Sequence, residues 1–179
     1  MAKRSSGTQK SKPKARAVGN AEFAALQMIF FDFDGVMSDN RVLVMQDGTE
    51  GVMCNRSDGL GIGMLHAAGV PMMVISKEEN PVVSARCRKL KLPCLQGVDD
   101  KLPALKRILE ERGFTAKKVA YVGNDLNDLE CMSHVGLPIA VADAYDPVLR
   151  VARWTTSRPG GHGAVREVCD RVLAARKSR

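Results

Sequence analysis

Aromatic side chains are scarce in this 179-residue chain, at 4% of the sequence. That disfavours an aromatic-rich β-sandwich and leaves aliphatic residues and methionine to build the core, as in an α/β protein. No apolar run reaches the roughly 18 residues of a membrane span. The basic N-terminus has no apolar segment behind it, so it does not read as a secretory signal. No Cys-x-x-Cys pair occurs, and the five cysteines (Cys54, Cys87, Cys94, Cys131 and Cys169) are an odd number. A zinc site or disulfide framework is therefore not expected, and a reducing cytoplasm is. Acidic residues are missing from the first 20 positions, which hold Lys3, Arg4, Lys10, Lys12, Lys14 and Arg16. These six account for most of the net charge of +7, so the remainder is nearly neutral. Residues 1–22 read as a basic disordered tail and 23–179 as one domain. Without interleaved aromatics the tail does not read as a nucleic-acid arm.

What is present is an alternation of apolar blocks and helical patterns. Met28 to Phe33 reads as a buried strand, and Arg41 to Cys54 as two short extended runs about Asp47-Gly48, a hairpin signal. Asp58 to Ala68 reads as a helix closed by Gly69, and Val70 to Ile75 as a second buried strand. Asn80-Pro81 opens a helix to about Leu90, with Asn as N-cap and Pro at the first helical position. Then follow strand Pro93–Gln96, helix Asp100–Arg112, strand Val119–Val122, helix Leu126–Val135 and strand Leu137–Val141. A short helix Pro147–Ala152, an extended piece Trp154–Thr156 and a closing helix Ala164–Ala175 complete the pattern. The fold class is α/β, a parallel sheet flanked by helices. Chemistry on such a sheet sits at the carboxyl ends of the strands.

Polar residues stand at those ends. Asp32 and Asp34, two residues apart on extended backbone, point to one side. Their mutual repulsion favours a bound cation or a shared proton, and magnesium suits oxygen ligands near phosphate. One carboxylate could attack phosphorus while the other handles the leaving-group proton. Ser76, after the second strand, could hold a phosphate oxygen. Lys101 could neutralise charge on a transferring phosphoryl group. After the fourth strand, Gly123-Asn124-Asp125-Leu126-Asn127-Asp128 could complete a metal site, with Asn127 and Asp128 equally readable as caps.

This order of residues resembles the haloacid dehalogenase (HAD) superfamily. Asp32 matches its nucleophile, Asp34 its general acid/base, Ser76 its phosphate-binding hydroxyl and Lys101 its lysine. The resemblance is closer to the 3-deoxy-D-manno-octulosonate 8-phosphate (KDO 8-phosphate) phosphatases, over roughly Met28 to Leu173. It rests on FDFDGVMSDN, NRSDGLGI, QGVDDKL, AYVGNDLNDL, VGLPIAVADA and GGHGAVREVCD. N-acylneuraminate 9-phosphate phosphatases and the C-terminal domain of acylneuraminate cytidylyltransferases are similar. The resemblance implies a Rossmannoid sheet without a cap domain, carrying a small β-hairpin flap. It implies a Mg2+ cofactor on Asp32, Asp34, Asn124 and Asp125, and substrate contacts from Asn55, Ser57, Asp58, Gly59, Arg86 and Lys101. It also implies a homotetramer in which the Gly160–Gly163 loop, with His162, approaches a neighbour's site.

The chain departs from the branch at two places. Ser76-Lys77-Glu78 stands where Thr-Gly-Arg is usual, so an arginine that meets the substrate carboxylate is absent there. Gly123-Asn124-Asp125 stands where Gly-Asp-Asp is usual, which replaces an anionic metal ligand by an amide. Both changes resemble the sialic-acid side of the branch. The expected function is removal of the terminal phosphate from a 2-keto-3-deoxy sugar acid, either KDO 8-phosphate or a nonulosonate 9-phosphate. The alternative is a non-catalytic tetramerising module that supports a cytidylyltransferase.

Overall fold

The computed structural model describes residues 18–178. Six strands form one parallel sheet: β1 (Met28–Phe31), β4 (Met72–Ile75), β5 (Cys94–Leu95), β6 (Val119–Gly123), β7 (Leu137–Ala140) and β8 (Trp154–Thr155). Their order is β5-β4-β1-β6-β7-β8. The sequences of β1, β4, β6 and β7 are almost wholly apolar because each is buried on both faces. β1 lies between β4 and β6, so the first polar residue after it emerges at the middle of the sheet's edge.

Helices cover the sheet in two groups. α2 (Arg56–Ala67) and α1 (Asn20–Ala24) pack against the closing helix α7 (Ala164–Lys177). α5 (Leu129–His134) packs between α4 (Lys101–Arg112) and α6 (Asp146–Val151). α3 (Val82–Lys89) lies against β5 and against a separate two-stranded ribbon, β2 (Ser38–Val44) with β3 (Glu50–Cys54).

The elements follow the sequence reading, with three differences. α3 begins at Val82 rather than at Pro81, although Asn80 still caps it by accepting from the Val82 N–H at 3.0 Å. The helix expected over Leu126–Val135 opens with a 3-10 turn, Leu126–Asp128, before α5. α1 was not anticipated. Five residues nucleate poorly by themselves, and this turn is held by tertiary contacts. Phe23 is buried edge-to-face on Trp154, with the Arg171 guanidinium over its ring, and Glu22 pairs with Arg153. Positions 1–17 of the expected tail lie outside the described residues, and 20–22 lie in α1.

The ribbon between β1 and α2 is the expected hairpin, and the chain inserts no lid domain there. Val42, Leu43, Val44, Met45 and Met53 are each more than half exposed on it. Among the described residues no helix is long and apolar enough to cross a membrane.

Candidate active site

Asp32 follows β1 directly and continues its pairing, donating its N–H to Val122 O at 2.9 Å. The chain then turns sharply, with the Met37 and Ser38 N–H groups both donating to Phe33 O. Gly35 makes the turn possible. Its φ of 77° is left-handed, and any Cβ there would strike the Asn124 amide. The turn leaves Asp32 at 3% exposure and Asp34 half-buried, both on the wall of one open cavity of about 690 Å³.

Lys101 reaches Asp32 from below. It is the first residue of α4, whose N-cap Asp100 accepts from the Leu102 N–H, and it is 2% exposed. Its ammonium lies 2.7 Å from Asp32 Oδ1 and 2.8 Å from Asp128 Oδ1. Asp32 Oδ1 also accepts from the Phe33 N–H at 2.7 Å. Burial, reinforced by the Asp128 charge, pushes the Asp32 acid upward, and Lys101 pulls it back. Lys101 loses hydration by burial, yet the two carboxylates hold its ammonium above the ordinary range. Burial also raises Asp34, against the hydroxyl of Ser38, which donates to Asp34 Oδ1 at 3.3 Å. A carboxyl that keeps its proton more readily is suited to protonating a leaving group.

Ser76 is fully buried at the end of β4 and lines the cavity, its Oγ accepting from the Glu78 N–H at 3.1 Å. Asn124 and Asp125 line the same cavity. The Asn124 side-chain oxygen is buried and has no hydrogen-bond partner among the described residues. Two carboxylates and this orphaned amide oxygen face one cavity, an all-oxygen set of the kind a hard divalent cation takes. Among the described residues no group of three or more His, Cys, Asp or Glu is placed to hold a metal ion.

Asn55, Ser57, Asp58, Gly59 and Arg86 are not brought into this cavity within one chain. They gather at the start of α2. Asn55 caps that helix, accepting from the Ser57 N–H at 2.9 Å, and its carbonyl accepts from Arg86 Nη2 at 2.9 Å. Gly59 packs where a Cβ would crowd Leu90. Asp58 is 1% exposed, and burial pushes its acid up to about 6 against Arg86, Arg158 and His162. The Gly160–Gly163 loop is packed against its own chain. Gly161 donates to Val36 O at 3.0 Å, and a Cβ on Gly160 would collide with Gly35 O, whereas His162 is exposed.

Sequence reasoning leaves one member of the site open and misses another. Asp128, readable as part of a metal site or as a cap, is fully buried and holds Lys101. Tyr121, read only as part of a strand, donates its hydroxyl to Asp128 at 2.9 Å. The available signal was an acid one turn beyond Asp125, facing back toward an acidic strand end.

Comparison with known proteins agrees with this geometry. A family profile described as haloacid dehalogenase-like hydrolase matches residues 95–167. The 3-deoxy-D-manno-octulosonate 8-phosphate phosphatase of Escherichia coli is 38% identical over 151 residues, 84% of this chain and 80% of that protein. Among solved structures, a HAD family hydrolase from Streptomyces avermitilis is 50% identical with a TM-score of 0.82, covering 83% of this chain and 86% of that one. The Moraxella catarrhalis 3-deoxy-D-manno-octulosonate 8-phosphate phosphatase, solved with magnesium, phosphate and KDO, is 31% identical. Its TM-score is 0.85, over 89% of this chain and 92% of that one. Fold and site thus define a phosphoric monoester hydrolase of the haloacid dehalogenase type. The chain belongs to the family of the 3-deoxy-D-manno-octulosonate 8-phosphate phosphatases.

Proposed function

We propose that this chain removes the terminal phosphate from a 2-keto-3-deoxy sugar acid, KDO 8-phosphate or a nonulosonate 9-phosphate, through an aspartyl-phosphate intermediate. The observation that carries the reading is the Asp32–Lys101 contact of 2.7 Å at the wall of a polar cavity shared with Asp34. A carboxylate braced by a buried cation and paired with a raised carboxyl is the equipment for nucleophilic phosphoryl transfer. An assembly module would need none of it.

An oxygen of Asp32 bonds to phosphorus as the sugar oxygen departs, and the carboxyl proton of Asp34 passes to that oxygen. Asp34, now ionised, takes a proton from water. The water oxygen bonds to phosphorus, and the bond to Asp32 breaks to release phosphate. Lys101 and Ser76 stabilise charge on the equatorial oxygens. Asp32, Asp34, Asn124 and Asp125 would hold a magnesium ion, whose positive charge would help to offset charge on the phosphoryl group. Asn124 brings an amide where a carboxylate would bind more strongly.

The leaving group occupies the ground beyond Asp34, where a smaller cavity under the hairpin carries Asn40, Arg41, Glu50 and Glu78. The exposed hairpin side chains exceed what a two-stranded ribbon buries by itself, which favours a closed homotetramer whose subunits shield each other's sites. Asn55, Ser57, Gly59 and Arg86 would then contact substrate from the rim, whereas Asp58, buried against the start of α7, would support them from beneath. Five free thiols suit a cytoplasmic setting. The test is a phosphate-release screen with magnesium over KDO 8-phosphate, N-acetylneuraminate 9-phosphate and its deaminated analogue. Release from none of the three would sink the sugar-acid reading.

A further inference from the structure

Asp128 is held by four donors. Its Oδ2 accepts from the Asn124 N–H at 2.9 Å and the Asp125 N–H at 3.4 Å. Its Oδ1 accepts from the Lys101 ammonium at 2.8 Å and the Tyr121 hydroxyl at 2.9 Å. Tyr121 is fully buried in β6, where its neighbours Val119, Ala120 and Val122 are apolar. Phenylalanine would fill the same space without the cost of burying a hydroxyl. Burial and the adjacent carboxylates raise the phenol well above its ordinary range, so the hydroxyl stays a neutral donor.

The consequence falls on Lys101. Its ammonium sits between two buried carboxyl groups, and with all three groups ionised the cluster carries one net negative charge. Of three ammonium protons, the carboxylates engage two, which leaves one for a phosphoryl oxygen. Asp128 competes with Asp32 for this cation. The more of its charge other donors satisfy, the less it draws the ammonium away. We propose that Tyr121 is a positioning residue: its hydroxyl tempers Asp128 and thereby holds Lys101 beside Asp32, where charge develops on the transferring phosphoryl group. This rests on the phosphatase reading above. It adds a residue that never touches substrate.

The experiment compares Tyr121→Phe with the wild type in the presence of magnesium. kcat should fall about tenfold with KM unchanged, the scale of losing one hydrogen bond to a charged group. Orthovanadate, which mimics the transferring phosphoryl group, should inhibit the variant correspondingly less. In an Asp128→Asn background the same change should cost less than twofold, because the charge it tempers is gone. Equal kcat for Tyr121→Phe and wild type would overturn the proposal, and so would an equal loss in both backgrounds, the mark of simple loosened packing. The Lys101 15Nζ resonance gives a readout without turnover. It should move on Tyr121→Phe, and an unmoved resonance would overturn the proposal even if the wild type released no phosphate, an outcome that would count separately against the phosphatase reading.

Discussion

Asp58 Oδ1 accepts a hydrogen bond from the backbone N–H of Arg166 at 2.9 Å, while its Oδ2 is buried without a partner among the described residues. Arg166 lies in the first turn of α7, whose N-cap is Gly163 and brings no side chain. Asp58, itself in the first turn of α2, therefore caps a second helix from outside it. The contact ties the start of the closing helix to the segment that follows the hairpin.

This arrangement makes stability depend on pH. Burial raises the Asp58 acid from 3.8 to about 6, so in that interval the folded chain keeps a proton that the unfolded chain has lost. The contribution of the group is complete below the lower value and is lost as pH rises through the upper one. The gap is worth roughly 3 kcal/mol at most. Asp58→Asn keeps an acceptor for Arg166 and removes the titration. Its stability relative to wild type should therefore increase between pH 4 and pH 7, as read by urea unfolding across that range. A difference that does not change with pH would show that Asp58 is not raised.

Asp32→Asn keeps the acceptor for the Phe33 N–H but removes the attacking charge. Turnover should fall by at least about a thousandfold, as for other nucleophiles that act as a unit with their partners. Circular dichroism should stay native. Phosphate release near the wild-type rate would refute the covalent mechanism.

Removal of divalent metal with EDTA should abolish activity, and magnesium should restore it. Asn124→Asp places an anionic oxygen where the orphaned amide oxygen now lies, so magnesium should bind more tightly. Calorimetric titration that finds unchanged or weaker binding would remove Asn124 from the ligand set.

Gly160→Ala should damage stability and turnover together. Its Cβ would meet the carbonyl of Gly35, and backbone cannot yield as a flexible side chain can. The cost should be about 1–3 kcal/mol by analogy with overpacking. Displacement of Gly35 moves the adjacent Asp34, so kcat should fall even at temperatures where the variant is fully folded. Wild-type kcat in the variant would show that this brace does not reach the site.

The hairpin supplies the test of assembly. Light scattering should give a tetramer for the wild type and a smaller species, with lower turnover, for Leu43→Lys combined with Met53→Lys. Truncation after Ser157 cannot test it, because α7 places Val165, Val168, Cys169 and Val172 in the core. A fully active wild-type monomer would end the idea that neighbours cover each site.

Much of this was legible because strands buried on both faces leave continuous apolar runs, and the residues after them must stand at one edge. Asp32, Asp34, Ser76, Asn124 and Asp125 were located on that ground, and they do share a cavity. Lys101 is legible as a charge for a phosphoryl group, but its burial is not. Asp128 was ambiguous because its spacing from Asp125 fits a helix cap as well as a reach toward Lys101, and it does both. Only the approach of the start of α4, which brings Lys101 to Asp32 and Asp128, decides that. The grouping of Asn55, Ser57, Asp58, Gly59 and Arg86 came from resemblance, and chain pattern has no means of telling that Asp58 meets the N-terminus of α7. α1 was hidden because its contacts, Phe23 with Trp154 and Glu22 with Arg153, join distant parts of the sequence.

The packing of Gly160 and Gly161 on the turn after Asp32 bears on how the protein is made. Asp32 leaves the ribosome well before the loop that braces its turn. β6 and β4, the strands on either side of β1, also arrive after it. A nascent chain thus carries this carboxylate for a long stretch of synthesis without the surroundings that would make it reactive. Activity should begin only after the bracing loop and α7 have emerged, and fragments that end before Gly160 should be chemically silent.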